Sequence, residues 1–178
     1  MVTSAGILLF RAADGLEARG AAAAPRTSPG PGPRQLDVFV AHMGGPFWRR
    51  RERSWSIPKG ELGTLPDGTV EDALSAARRE FAEEIGVPAP EVDYRELGTF
   101  RQASGKRVVV FAGESDLVVA DVRSNTFEVE LPRGSGRMVA FPEVDDARWV
   151  SIDAARTMLV AGQVAAIDAL AELGRREG

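Results

Sequence analysis

Glu80, Glu83 and Glu84 set three carboxylates along the segment Arg78–Val87, whose composition suits a helix. Offsets of three and four residues bring them to one helical face. With Glu80 as origin and ~100° per residue, Glu83 falls at ~300° and Glu84 at ~40°. Like charges so placed repel, and a helix facing only water gains nothing from them. A divalent cation turns that repulsion into attraction, and an oxygen-only donor set suits Mg²⁺ or Mn²⁺. The plainer alternative is a solvated acidic face near a helix end.

The rest of the segment supports a helix predicted over residues 69–85. Val70, Leu74, Ala77, Phe81 and Ile85 fall between ~60° and ~140°, an apolar stripe able to dock on a sheet. Ala73 and Ala76 share the carboxylate face and leave it open. Thr69 and Asp72 form a candidate capping box, and Glu71 and Asp72 suit the positive end of the helix dipole. Gly86 supplies a stop, with Pro88 beyond it.

From Glu71 the chain runs seven residues to Arg79-Glu80-Phe81-Ala82-Glu83-Glu84-Ile85-Gly86-Val87, and Ser56-Ile57-Pro58-Lys59-Gly60-Glu61 stands upstream. This ordered set resembles, position for position, the latter part of the signature of the Nudix hydrolases, and residues 56–61 are similar to its opening loop. The resemblance implies a metal-dependent pyrophosphohydrolase. Such an enzyme cleaves a nucleoside diphosphate linked to another moiety, with water attacking phosphorus and Mg²⁺ (or Mn²⁺) as cofactor. By resemblance, Glu80, Glu83 and Glu84 are metal ligands, joined by a backbone carbonyl near Gly60. Glu83 or Glu84 would also pass a proton from the attacking water, and the sequence does not separate those roles. Arg79 and Glu71 correspond to an ion pair that orients the catalytic carboxylates; from the residues alone, an exposed surface pair serves as well. One departure stands out. The family's opening glycine lies six residues before the glutamate, where this chain has Leu65, while Gly60 lies eleven before Glu71. An insertion of about five residues within Leu62–Gly68 is predicted as a surface loop, cheap in entropy and rich in turn formers.

Glu143 stands six residues before Trp149, which is predicted to open a strand. That placement is similar to a late base or metal-binding glutamate in many Nudix members; a solvated loop acid is the alternative. Glu128 and Glu130 alternate as on the outward face of a strand. Lys59 suits a phosphate as a point charge. Arg49, Arg50, Arg51 and Arg53 lie between Trp48 and Trp55, and basic groups flanked by aromatics suit a polyphosphate carrying a base. Arg49, Arg51 and Trp48 are the substrate-binding candidates taken from that run, whose other reading is a charged flexible loop. His42, the only histidine, closes a strand and reads as structural at least as readily as catalytic. The stretches Ala41–Trp48, Trp55–Gly60 and Phe141–Asp145 look most like bacterial Nudix proteins near the diadenosine polyphosphate hydrolases. A dinucleoside polyphosphate is therefore favoured over an NTP, ADP-ribose or a nucleotide sugar. The rival from another class is a non-catalytic nucleotide-binding Nudix-like module, which has no use for three mutually repelling acids.

The elements that position these groups are legible in outline. Thr3–Phe10 and Leu36–Met43 read as strands, as do Asp93–Phe100, Val108–Glu114 and Met138–Phe141. Ser151–Leu159 and Gln163–Leu173 read as helices. Residues 19–35 hold four prolines and three glycines and are predicted as a flexible excursion from a hairpin. The pattern is α+β, and the resemblance implies an α/β/α sandwich with a mixed β-sheet in a single domain over 1–178. At 178 residues, 44% hydrophobic and 27% charged, the chain has an ordinary globular composition. Its net charge of −4 argues against nucleic acid as a partner. The absence of cysteine excludes disulfides, thiolate catalysis and zinc–sulfur sites. With no basic leader and no apolar run of membrane length, a cytoplasmic protein acting on small nucleotides is expected, and the resemblance leaves a homodimer open.

Overall fold

Strand β1 (Thr3–Ala12) sends Ala5, Ile7 and Leu9 into one apolar cluster and Leu8 into another; β2 (Leu36–Met43) divides Phe39 and Ala41 from Leu36, Val38 and Val40 in the same way. A strand that is apolar on both faces needs cover on both, and helices supply it. The computed structural model describes residues 3–13, 35–102 and 105–176; the excursion expected over 19–35 lies outside these, apart from Gln35.

Following β2 come β3 (Trp55–Ser56), β4 (Lys59–Glu61), α1 (Ala73–Ile85), β5 (Arg95–Arg101), β6 (Arg107–Glu114), β7 (Thr126–Glu130), β8 (Met138–Pro142), β9 (Val144–Ser151), α2 (Ile152–Met158) and α3 (Val164–Arg176). The main sheet runs β3-β2-β1-β6-β5, with β4 also paired to β1 and β9 to β2. Its β1–β6 pair is parallel and the others are antiparallel. Ala76, Ala77, Phe81 and Ile85 of α1 cover one face; Ala155, Leu159, Ala166, Ile167 and Leu170 cover the other. The expected sandwich with a mixed sheet is what forms. β7 and β8 make a separate two-stranded ribbon. No described helix is long and apolar enough to cross a membrane.

The sequence reading needs correction at several edges. The first helix starts at Ala73 rather than at residue 69, because Asp72 is the N-cap and accepts from Ser75 N–H at 3.0 Å. Thr69 does not cap; its hydroxyl and N–H both go to Asp67. The expected surface loop over 62–68 does form, as a tight exposed hairpin closed by a Thr64–Val70 bridge and by Leu65 N–H to the Thr69 carbonyl at 2.8 Å. Val70 therefore leaves the apolar stripe and is 68% exposed. Ala76 is fully buried with Ala73 packed nearby, so these alanines belong to the core and not to an open acidic face. Trp149 lies near the end of its strand, which opens at Val144.

Candidate active site

Three elements bring the acids together. Helix α1 is pinned to the sheet by Phe81 and Ile85, and the residues before and between them carry Glu80, Glu83 and Glu84, with Glu80 against Gly60 and Glu84 against Lys59 of β4. Strand β4 arrives alongside through its pairing with β1, Lys59 opposite Gly6 and Gly60 opposite Ala5. Gln163, buried at the end of the 3₁₀ turn Ala161–Gln163 just ahead of α3, fixes the turn before β4. Its Oε1 accepts Ile57 N–H at 2.7 Å and its Nε2 donates to Ser56 Oγ at 3.0 Å. The third element is the turn between β8 and β9 that holds Glu143. Glu143 N–H donates to the Asn125 carbonyl at 2.8 Å, and the Glu143 carbonyl accepts Gly44 N–H at 2.8 Å. Asn125 N–H in turn donates to the Glu83 carbonyl on α1 at 3.1 Å.

Arg79 sits at the centre. Its Nε and Nη2 hold Glu71 by both carboxylate oxygens, at 3.2 and 2.9 Å, and Nη2 also donates to the Glu61 carbonyl at 3.0 Å. Nη1 reaches Glu80 Oε1 at 2.8 Å and both Glu83 oxygens at 3.4 Å. Glu71 also accepts Gly63 N–H at 2.9 Å, and its side chain is only 13% exposed. The bond from Arg79, then that from Gly63, hold its pKa below the usual carboxylate range. Glu71 is thus nearly buried, and the partly exposed Arg79 ties it to Glu80 and Glu83 on α1.

Glu80 and Glu84 are pushed the other way. Burial raises the Glu84 pKa to about 7, although Lys59 opposes the shift through its charge and its N–H, which donates to Oε2 at 3.0 Å. Burial also raises Glu80, against the attraction of Arg79. The negative charge of Glu143 adds to both shifts, so its turn faces the acids on α1. Gly60 lies so close to Glu80 that a β-carbon there would stand 1.9 Å from the carboxylate carbon. Only glycine permits that approach.

Among the described residues no three carboxylates converge tightly enough, as they stand, to hold an ion; Arg79 Nη1 lies between Glu80 and Glu83, and Glu84 is turned to the Lys59 amide. The donor set nonetheless fits a hard divalent cation. All its side-chain donors are carboxylate oxygens, two are held desolvated beside like charge, and the Gly60 backbone is cradled against Glu80.

The remaining candidates divide. Trp48, Arg49 and Arg51 lie in the segment after β2, with Arg51 stacked on Trp48 at 5.0 Å, and the Gly44–Glu143 bond ties the start of that segment to the turn holding Glu143. Arg53 is diverted, donating at 3.0 Å to the Arg156 and Leu159 carbonyls at the end of α2. Trp55 is covered by Arg148 at 4.8 Å and touched edge-on by His42. His42 pairs with Asp145 at 2.5 Å, which ties β2 to β9. Glu128 and Glu130 lie on the separate ribbon. Sequence reasoning missed Gln163 and Asn125, whose partners lie far along the chain and leave no local signal. Two concavities, one of about 490 Å³ by Tyr94 and Leu173 and one of about 730 Å³ by Asp37 and Val118, include no residue of α1.

The sequence model of the NUDIX domain matches residues 33–170. Among solved structures, the chain is similar to a C. elegans Ap4A hydrolase in a binary complex, at 16% identity and a TM-score of 0.56, over 97% of each chain. It is similar also to the NUDIX domain of Shewanella oneidensis NrtR complexed with ADP ribose, at 16% identity and TM-score 0.54, over 99% of this chain and 88% of that one. A mutT/nudix family protein from Listeria innocua follows at 11% identity and TM-score 0.53, over 99% and 95%. No curated protein matches the chain. At these identities the structural likeness speaks for the fold, and the domain match, which spans most of the chain, speaks for the family. The chain belongs to the Nudix family, whose enzymes generally use divalent cations such as Mg²⁺ on small nucleotide substrates, and it is a hydrolase of phosphoric anhydride bonds.

Proposed function

We propose that this enzyme cleaves a dinucleoside polyphosphate by water attack on phosphorus, with Mg²⁺ (or Mn²⁺) held by Glu80, Glu83, Glu84 and the Gly60 carbonyl. One observation carries the proposal: Glu80 and Glu84 are drawn largely out of water beside the like charge of Glu143 and against the Gly60 backbone, at a cost that a bound cation offsets. When bound, such an ion neutralises a diphosphate and lowers the pKa of the attacking water.

The chain's own residues take the other roles. Arg79 and Glu71 hold the α1 carboxylates in register. Glu143 is the proposed proton acceptor, because it is exposed while Glu83 is engaged by Arg79 and Glu84 by the Lys59 amide. Lys59, Arg49 and Arg51 supply positive charge for the phosphates, and Trp48 an aromatic face. The likeness to an Ap4A hydrolase supports the dinucleotide choice, and the likeness to a domain holding ADP ribose makes ADP-ribose the runner-up.

The test is a panel of dinucleoside polyphosphates, NTPs, ADP-ribose and nucleotide sugars, each with Mg²⁺ or Mn²⁺, assayed for released nucleotide. Turnover is expected to be highest on a dinucleoside polyphosphate. It should fall by about 10²–10⁴-fold in both Glu143→Gln and Glu83→Gln, the range general-base and ligand losses span. Tight nucleotide binding without turnover under either metal would make the chain a binding module instead.

A further inference from the structure

The ribbon of β7 and β8 pairs Phe127 with Phe141 and Val129 with Val139. Cross-strand partners share a face, as do residues two apart along a strand. The register continues one rung beyond the two strands, since Glu143 N–H bonds the Asn125 carbonyl. Glu143 therefore closes the end of the ribbon, at the bend where the chain leaves β8 for β9, two residues from Phe141. The step from Glu143 to Phe141 is two residues, at most ~7 Å along the chain, about the span of one sugar between a phosphate and its base. The rings are 6.3 Å apart and tilted by 37°. The Phe127 ring lies against the Gly45 backbone, where a β-carbon would come within 2.6 Å of it. That places the rings beside the turn carrying Phe47, itself 59% exposed, and Trp48. Both phenylalanines remain partly exposed. A two-stranded ribbon is marginal on its own and gains from cover on its apolar face.

We propose that this ribbon face is a nucleobase subsite, in which Phe127 and Phe141 stack on the base of a nucleotide whose diphosphate lies at Glu143. The assignment rests on the hydrolase reading above and adds the residues that select a base-bearing substrate. The occupant is a nucleobase because the rings adjoin the one place where a diphosphate meets the acids.

Calorimetry on the full chain with Mg²⁺ tests this, using a methylene-bridged diadenosine tetraphosphate analogue and, as the base-free ligand, methylenediphosphonate. Phe127→Leu and Phe141→Leu keep apolar bulk and remove the ring. Each should weaken the dinucleotide analogue by about 5–100-fold, the worth of a stacked base, and the diphosphonate by under about twofold. Unchanged dinucleotide affinity would overturn the subsite. So would a parallel loss of both ligands, the result if the ribbon merely came apart. A change of sedimenting mass with unchanged affinity would also overturn it, making the face a contact between copies. The hydrolase reading fails separately, by absence of released nucleotide from the unmodified chain, and the binding comparison stands without turnover.

Discussion

Arg79 divides its donors among Glu71, Glu80, Glu83 and the Glu61 carbonyl, so replacing it acts on the acids and their support together. Arg79→Lys keeps the charge but lacks the planar fork that holds Glu71 by two oxygens. Its kcat should fall by about 10–100-fold with KM little changed, as expected of a group that orients ligands from behind. Arg79→Ala also leaves the nearly buried Glu71 without its main partner; discounting for the partial exposure of Arg79, about 1–2 kcal/mol of stability should be lost in urea unfolding. Gly60→Ala tests the cradle. A β-carbon 1.9 Å from the Glu80 carboxylate carbon must drive that side chain away, so the Mg²⁺ concentration for half-maximal activity should rise by about tenfold or more. A normal Mg²⁺ response in Gly60→Ala would remove Glu80 and Gly60 from the proposed metal site. Helical spacing alone makes the α1 acids legible in the sequence. The Arg79 node is legible only through resemblance, since its grip on Glu71 depends on the hairpin that lifts Gly63 and Glu71 together. Gln163 is illegible, because its partners Ser56 and Ile57 meet it only through the packing of α3 on the sheet.

Helix α1 ends at Gly86, which has φ +86° and donates to the Ala82 carbonyl at 2.9 Å. The chain from Arg123 to Asn125 crosses this end, giving its N–H groups to the Ile85 and Glu83 carbonyls. A β-carbon at Gly86 would meet both the unfavourable left-handed backbone and the Arg123 carbonyl at 2.7 Å. Gly86→Ala should cost about 2 kcal/mol or more in chemical unfolding. It should lower activity as well, because the crossing segment carries Asn125 to Glu143. Unchanged stability would mean that the crossing segment simply moves aside. The stop at Gly86 is visible in the sequence, but the start of α1 is not. The hairpin over Thr64–Val70 competes for the same residues, and backbone pairing there wins over helical propensity. Strands β1, β2 and β6 announce themselves by apolar runs buried on both faces. β3 and β4, two and three residues long, are too short to show alternation. β9 hides behind Asp145, Asp146 and Arg148, which are tolerated because His42 and Asp145 pair across to β2.

Packing both faces of one sheet has a consequence for the molecule as a whole: the acids at the sheet margin lose water on folding, so stability is expected to depend on pH and, under the proposed function, on added cation. Glu84 has an ordinary pKa of 4.5 and is raised to about 7 in the fold. Between those values the folded chain keeps a proton that the unfolded chain releases. Stability then falls as pH rises through this window, by about 1.4 kcal/mol per pH unit and at most about 3 kcal/mol in all. Glu80, also raised by burial, acts in the same direction. Glu71 acts oppositely, but its lowered pKa confines that effect to acid pH, where its stabilisation is lost as pH falls below the ordinary carboxylate value. Neutral pH is left to the buried acids. With a chelator present, the thermal midpoint should therefore drop by about 6–12 °C from about pH 5 to about pH 8. Added Mg²⁺ should reverse that slope, because a cation binds the ionised carboxylates of the folded chain and stabilises it by mass action. Glu84→Gln should flatten the chelator curve and stabilise the metal-free protein at about pH 8, since it removes the buried charge. Scanning calorimetry across pH, with and without Mg²⁺, separates the outcomes. A chelator curve that rises toward alkaline pH would show that the Glu84 carboxylate is not desolvated, and would take away the reason for a cation beside it.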